Sequence, residues 1–268
     1  MRVGIEKVLF LLGFFQLSGC SVDSAKSHYI LAEKLWTDRK YSAAVTEFEK
    51  VTSKDPSGTL GQKALYRGAT TQALFLSHYG DAIRKLRNYI QVSTDPVTVR
   101  EAKIQIGELL FSKTEQYDQA IVHYQALLKE NPKAPEAPEF LYRIGKSWFF
   151  LFQFDDALKT FSELRLQYPD SIWAEKAAFQ IGTVHFTRGE DKAYQNAMTA
   201  YHSFIKAYPG SAQVPEAKFG VASCLEELDQ LAQAYEAYSA LKDVYPAPGV
   251  IQIKLARIKE RMAQRNSK

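Results

Sequence analysis

Cysteine is nearly missing from this 268-residue chain, which has only Cys20 and Cys224. Two cysteines cannot make a disulfide framework, so stability must come from a packed core. Long apolar runs are missing too. The longest, from Val8 to Leu17, is interrupted by Gly13 and Gln16, and a membrane-spanning helix needs about 20 such residues. There is little excess charge: the formal net charge of +4 is too mild for a nucleic-acid partner. The chain lacks HExxH, GxSxG, CxxC and P-loop patterns. Its histidines, at positions 28, 78, 123, 185 and 202, are scattered, and none has a second His or a Cys at ligand spacing. The expectation is therefore no catalytic residue, metal, cofactor or small-molecule substrate, hence no enzyme. What the chain does have is apolar side chains, at 46%, and aromatic ones, with 15 Tyr and 16 Phe. That is ample for a core, and the excess of rings needs a reason.

Arg2 and Lys7 precede the short apolar run, and small residues follow it. This is the layout of a secretory leader over residues 1–19. Leu17-Ser18-Gly19-Cys20 resembles a bacterial lipobox, which implies cleavage before Cys20 and lipid on its thiol. Residues 20–24 would then be a lipid-anchored linker. Ser21, not Asp, follows the cysteine; the resemblance then implies an anchor in the outer membrane, at its periplasmic face. Cys224 is left without an intrachain partner. It lies in the apolar stretch FGVASCLEEL and reads as a buried packing thiol.

The strongest signal is a repeat. YSAAV, YGDAI, YDQAI, FDDAL, YQNAM and LAQAY place an alanine at 44, 82, 120, 157, 197 and 234. Four residues later stands Phe48, Leu86, Tyr124, Phe161, Tyr201 or Tyr238; three further on, Val51, Tyr89, Leu127, Leu164, Phe204 or Leu241. This spacing makes one stripe on a helix. Prolines follow at 56, 96, 132, 169, 209 and 246 and should end each such helix. A first helix precedes each alanine, carrying a small residue where two helices cross closely: Ala32, Ala69, Gly107, Gly145, Gly182 and Ala222.

These residues resemble the tetratricopeptide repeat, with a period of about 37 to 40 rather than the usual 34. The fold this implies is an all-α, right-handed α-solenoid. It would hold six helical hairpins, at about 25–56, 60–96, 98–132, 135–169, 171–209 and 213–246, plus a capping helix over 249–265. In the cap, Ile251, Leu255, Ile258 and Met262 form an apolar stripe. Lys254, Arg257, Arg261 and Arg265 lie on its other side, where an acidic partner or anionic head groups could meet them. Joined to a lipobox, the pattern is similar to the lipoprotein of the outer-membrane β-barrel assembly machinery. It also resembles the repeat domain of the Tol-Pal-associated division coordinator and pilus or secretion assembly lipoproteins. The implied role is a scaffold for envelope proteins.

In such a solenoid the first helices line the concave face. Counting from each crossing residue, the aromatics expected there are Tyr29, Trp36, Tyr66, Phe111, Tyr142, Phe149, Phe150, Phe179, Phe186 and Phe219. They form a peptide groove or simply pack between repeats. Glu226, Glu227 and Asp229 would add an acidic rim that favours a basic segment. Trp148 is expected between its repeat's two helices, with Phe149 turned toward the groove. His185 reads as a satisfied core histidine, and Asp155 and Asp156 as acids at a helix N-terminus.

Overall fold

The computed structural model describes residues 18–266, with side chains from 24 to 265. Thirteen helices and no strands are found among them. They are α1 (Ser18–Thr37), α2 (Tyr41–Lys54), α3 (Thr59–Phe75), α4 (Tyr79–Val92), α5 (Pro96–Ser112), α6 (Tyr117–Glu130) and α7 (Ala137–Phe150). There follow α8 (Phe154–Gln167), α9 (Ile172–Arg188), α10 (Asp191–Ala207), α11 (Val214–Glu227), α12 (Leu231–Ser239) and α13 (Pro248–Asn266). The result is an all-α solenoid of helical hairpins. Residues 1–17 of the expected leader and the side chain of Cys20 lie outside the described residues. Residues 20–24, expected as a linker, already belong to α1; no Gly or Pro interrupts them. None of the described helices is long and apolar enough to cross a membrane.

The repeat alanines are what lets each hairpin close. All six are fully buried, and the residues four and seven positions after them are buried too. The aromatic four residues on fills a notch that the first helix leaves open. A Cβ on Gly145 would stand 2.6 Å from the Phe161 ring, and one on Gly182 would stand 2.5 Å from the Tyr201 ring. No heavy atom can sit there, so the large ring dictates the missing side chain.

Most hairpin turns share one device. Arg39, Ser77, Glu115, Phe152 and Asp229 take left-handed φ values of 51 to 59°. The amide of the next residue then reaches back to the helix: Lys40 N–H donates to Leu35 at 2.8 Å, and Gln153 N–H to Trp148 at 2.9 Å. This Schellman pattern satisfies carbonyls that a helix end leaves open. Two prolines act differently from expectation. Pro96 opens α5, where its missing N–H costs nothing and Asp95 accepts from Val97 N–H. Pro246 lies well past α12, which stops at Ser239.

The chain divides into two compact units, residues 1–116 and 117–268. In the first, α1 pairs with α2, α2 packs on α3, α3 pairs with α4, and α5 packs on α4. In the second, α6 packs on α7; the hairpins α7–α8, α9–α10 and α11–α12 follow, and α13 closes on α12. Within this unit α7, α9 and α11 contact one another more closely than α8, α10 and α12 do. The first-helix layer is therefore its inner face.

Candidate functional site

Helical geometry sorts the candidate aromatics. Each residue turns the helix by about 100°. Measured from the crossing residue, three before lies about 60° away and four after about 40°. One after lies about 100° away, five after about 140° and two before about 160°. The first two directions lean toward the repeat's own second helix; the other three form the inner stripe.

The rings follow this sorting. Tyr29, Tyr66, Tyr142, Phe179 and Phe219 all stand three residues before the crossing and meet the second helix. Tyr29 sets its edge on Phe48 at 5.7 Å, and Tyr66 lies 5.1 Å from Tyr89. Tyr142 sits between Phe161 and Trp173. Phe179 is closed off by Tyr201 and Phe204, and Phe219 stacks on Tyr245 at 4.9 Å. Phe179 is a core residue with no face toward a groove. Four residues after the crossing stand Trp36, Phe111, Phe149 and Phe186, all half-buried. Trp36 meets Phe75 at 5.8 Å and carries the Arg67 guanidinium 4.0 Å over its ring. Phe149 leans on Phe154, and Phe186 on Tyr194. Phe149 and Trp148 are both half-buried, so Trp148 is not the fully enclosed ring that was expected. Phe150, five after the crossing, is the ring that opens to the inner face. It is 39% exposed while one side stacks on Tyr117 at 4.7 Å.

The inner stripe also holds polar rungs between successive first helices. The residue after one crossing meets the residue two before the next. Arg67 donates to Glu33 at 3.2 Å from Nε. In the second unit the same register gives Lys146 Nζ donating to Gln180 Oε1 at 3.4 Å. Counting from the crossing finds these residues in sequence, once ring chemistry is not the filter.

The expected acidic rim is taken up by the chain itself. Glu226 occupies the register that holds Trp36, Phe111, Phe149 and Phe186 in other repeats, and is 1% exposed. It accepts from Tyr238 Oη at 3.1 Å and Lys254 Nζ at 3.0 Å, and from Arg257. Burial would raise its carboxyl, but the hydrogen bonds and charges of Lys254 and Arg257 outweigh that and hold it below the ordinary value. Asp229 accepts from Arg261 at 3.0 Å and from Arg265. Glu227 remains exposed, and so does Asp229 despite its two arginines. The basic segment that the acids favour is α13, seated by Ile251 and Ile258, both fully buried.

His185 is not satisfied, contrary to expectation: its Nδ1 is buried without a hydrogen-bond partner. It lines a cavity of about 400 Å³ with Arg165, Asn196, Thr199 and Ser203. Burial, then the Arg188 charge, pushes its imidazole toward the neutral form. Cys224 is buried, and burial pushes its thiol up to about 12, which leaves it unreactive. Asp155 sits in the first turn of α8 and pairs with Arg188, and Gln153 at the N-cap makes no side-chain bond. Among the described residues, no group of three or more His, Cys, Asp or Glu could hold a metal.

The tetratricopeptide repeat model matches residues 101–134, 139–171, 176–211 and 216–247, half of the chain. The chain belongs to the tetratricopeptide repeat family. The two N-terminal hairpins lie outside the matched stretches. No curated protein matches the sequence. Among solved structures, a tetratricopeptide repeat protein from Parabacteroides merdae is 16% identical with a TM-score of 0.56, covering 91% of this chain and 89% of that one. The C-terminal part of a repeat protein from Cytophaga hutchinsonii is 19% identical with a TM-score of 0.61, over 89% and 88%. PilW, described as a widely conserved type IV pilus biogenesis factor, is 15% identical with a TM-score of 0.54, over 86% and 98%. At these identities the likeness is one of fold. A tetratricopeptide repeat array presents surfaces for peptides and proteins, and this one presents an inner stripe of mixed aromatic and charged residues.

Proposed function

We propose that this chain is a non-catalytic scaffold that docks envelope proteins on its first-helix layer and is held by lipid on Cys20 at the periplasmic face of the outer membrane. Assembly of outer-membrane β-barrels is the process we assign to it. The observation that carries the docking role is the inner stripe of α7, where Phe150 keeps an exposed ring face beside Lys146. An exposed aromatic ring is the kind of side chain that protein interfaces are enriched in. The lipobox-like Leu17-Ser18-Gly19-Cys20 supports the anchor, because two or three acyl chains exceed the marginal membrane hold of one.

The test has two parts. Cys20→Ser should leave unprocessed or soluble protein on cell fractionation; normal processing and outer-membrane fractionation of the mutant would remove the anchor. A photo-crosslinking residue at position 150 should capture β-barrel assembly factors in cells, identified by mass spectrometry, while one at the outward-facing Leu166 should not. Capture of a pilus component instead would favour a second reading, a pilus assembly lipoprotein. That reading takes its support from the fold likeness to PilW.

A further inference from the structure

Lys146 is the one residue of the α7–α9 rung whose charge is not answered. Its Nζ lies 4.6 Å from the Phe150 ring centre and 5.0 Å from that of Phe149. Its single hydrogen bond goes to the neutral amide oxygen of Gln180. Among the described residues no carboxylate lies within ion-pair distance of it. Glu139, the acid on the same helix, is taken by Arg143 at 2.6 Å. The equivalent rung of the first unit is neutral, because Glu33 faces Arg67. The remaining stripe positions of α9, Thr183 and Thr187, carry no charge. Of the acids of α11 and its following turn, Glu226 and Asp229 are held by α13, Glu216 accepts from Tyr245, and the exposed Glu227 stands two first helices along from Lys146. Burial already disfavours the ammonium of Lys146 and pushes it below the usual lysine range.

A half-buried cation costs free energy unless an anion meets it. The rings beside it say what surrounds that anion: Phe150 offers an apolar face that a carboxylate alone would not cover. We propose that the inner face of α7 binds an acidic segment of a partner protein, in which a Glu or Asp side chain meets Lys146 while a neighbouring apolar side chain covers Phe150. The proposal rests on the first-helix layer being the docking face, and it reverses the basic partner that the sequence suggested. On α7 a basic segment would find only Glu139, already paired with Arg143, and would face Lys146 with like charge.

The experiment uses the full chain and three short capped peptides, read by fluorescence anisotropy. One carries two Glu around a Phe; its counterparts carry Gln or Lys in place of Glu. The acidic peptide should bind about tenfold tighter than the Gln form, as expected for one charge-assisted hydrogen bond in a partly buried site. The Lys form should bind weakest. Lys146→Met keeps the aliphatic stem and should fold and melt at or above wild type, yet lose the preference for Glu over Gln. Phe150→Ala should weaken both peptides alike. Equal binding of all three, no binding of the acidic peptide up to about 1 mM, or a Glu preference that survives Lys146→Met would each overturn the proposal. Crosslinks at position 150 that persist alongside such a failure would keep the docking face and reject only its acidic partner. Loss of those crosslinks would reject the docking face itself.

Discussion

Gln72 and His185 occupy one register, three residues after the crossing. The other repeats place Leu35, Leu110, Trp148 and Leu225 there. Both polar residues leave a buried atom without a partner, Gln72 Oε1 and His185 Nδ1. A buried polar group with an unmade hydrogen bond costs about 1–3 kcal/mol, and an apolar replacement of similar shape removes that cost. Gln72→Met should therefore raise the melting temperature by a few degrees, measured by circular dichroism. A lower melting temperature would mean the amide has a partner after all. His185→Leu should stabilise too, and more so in acid. The folded imidazole is depressed, so the unfolded chain binds the extra proton first and stability falls as pH drops through about 6.5. The advantage of His185→Leu should be larger at low pH than in weak base; a pH-independent difference would sink that account. Sequence showed that His185 faces the core. It could not show the missing partner, because that depends on which atoms of α8 and α10 come near.

At the scale of the element, α13 is held by chemistry as much as by burial. Ile251 and Ile258 seat it, and Lys254 and Arg257 close on Glu226. The carboxyl of Glu226 is depressed in the folded chain. Its contribution is complete above the unfolded carboxyl value of about 4.3 and is lost as pH falls through the lower folded value. Glu226→Gln should cost about 1–3 kcal/mol at neutral pH, the cost of breaking charged hydrogen bonds whose cations are partly solvated. The gap between the two proteins should close in strong acid, where both lack the charge. Chemical denaturation at several pH values reads this directly; a gap that persists in acid would show that the carboxylate charge is not what holds α13. Reversing the pair, with Glu226→Arg and Arg257→Glu together, should recover stability that either single change loses. The cap's apolar stripe was legible in sequence because 251, 255, 258 and 262 repeat at helical spacing. The fate of the acids was not, since Glu226 and Arg257 are far apart in the chain and only the fold brings them together.

At the scale of the molecule, the hairpins were legible because a small residue, a ring and a distant proline each constrain one helix locally. Ala157, Phe161 and Leu164 announce the second helix of their repeat whatever surrounds it. The inner face was half legible. Ring chemistry pointed to Phe150, which does open to the inner face, but also to Tyr29, Tyr66, Tyr142, Phe179 and Phe219, whose angle turns them into the hairpin; angle alone would have found Lys146 as well. The division at residues 116 and 117 left no mark in the repeat pattern. It carries a consequence that can be measured. In repeat arrays each hairpin draws stability from itself and its nearest neighbours. The second unit contains the whole cluster from Phe179 through Tyr201 and Tyr238 to Ile258, together with Lys254, Arg257 and Arg261, the cations that bridge to Glu226. Residues 117–268 expressed alone should therefore be helical and unfold cooperatively. Glu226→Gln should destabilise that fragment by the same amount as the full chain, because every group that answers the carboxylate is present in it. An unfolded fragment, or a Glu226→Gln effect that appears only in the full chain, would mean that the stability of the second unit is not its own.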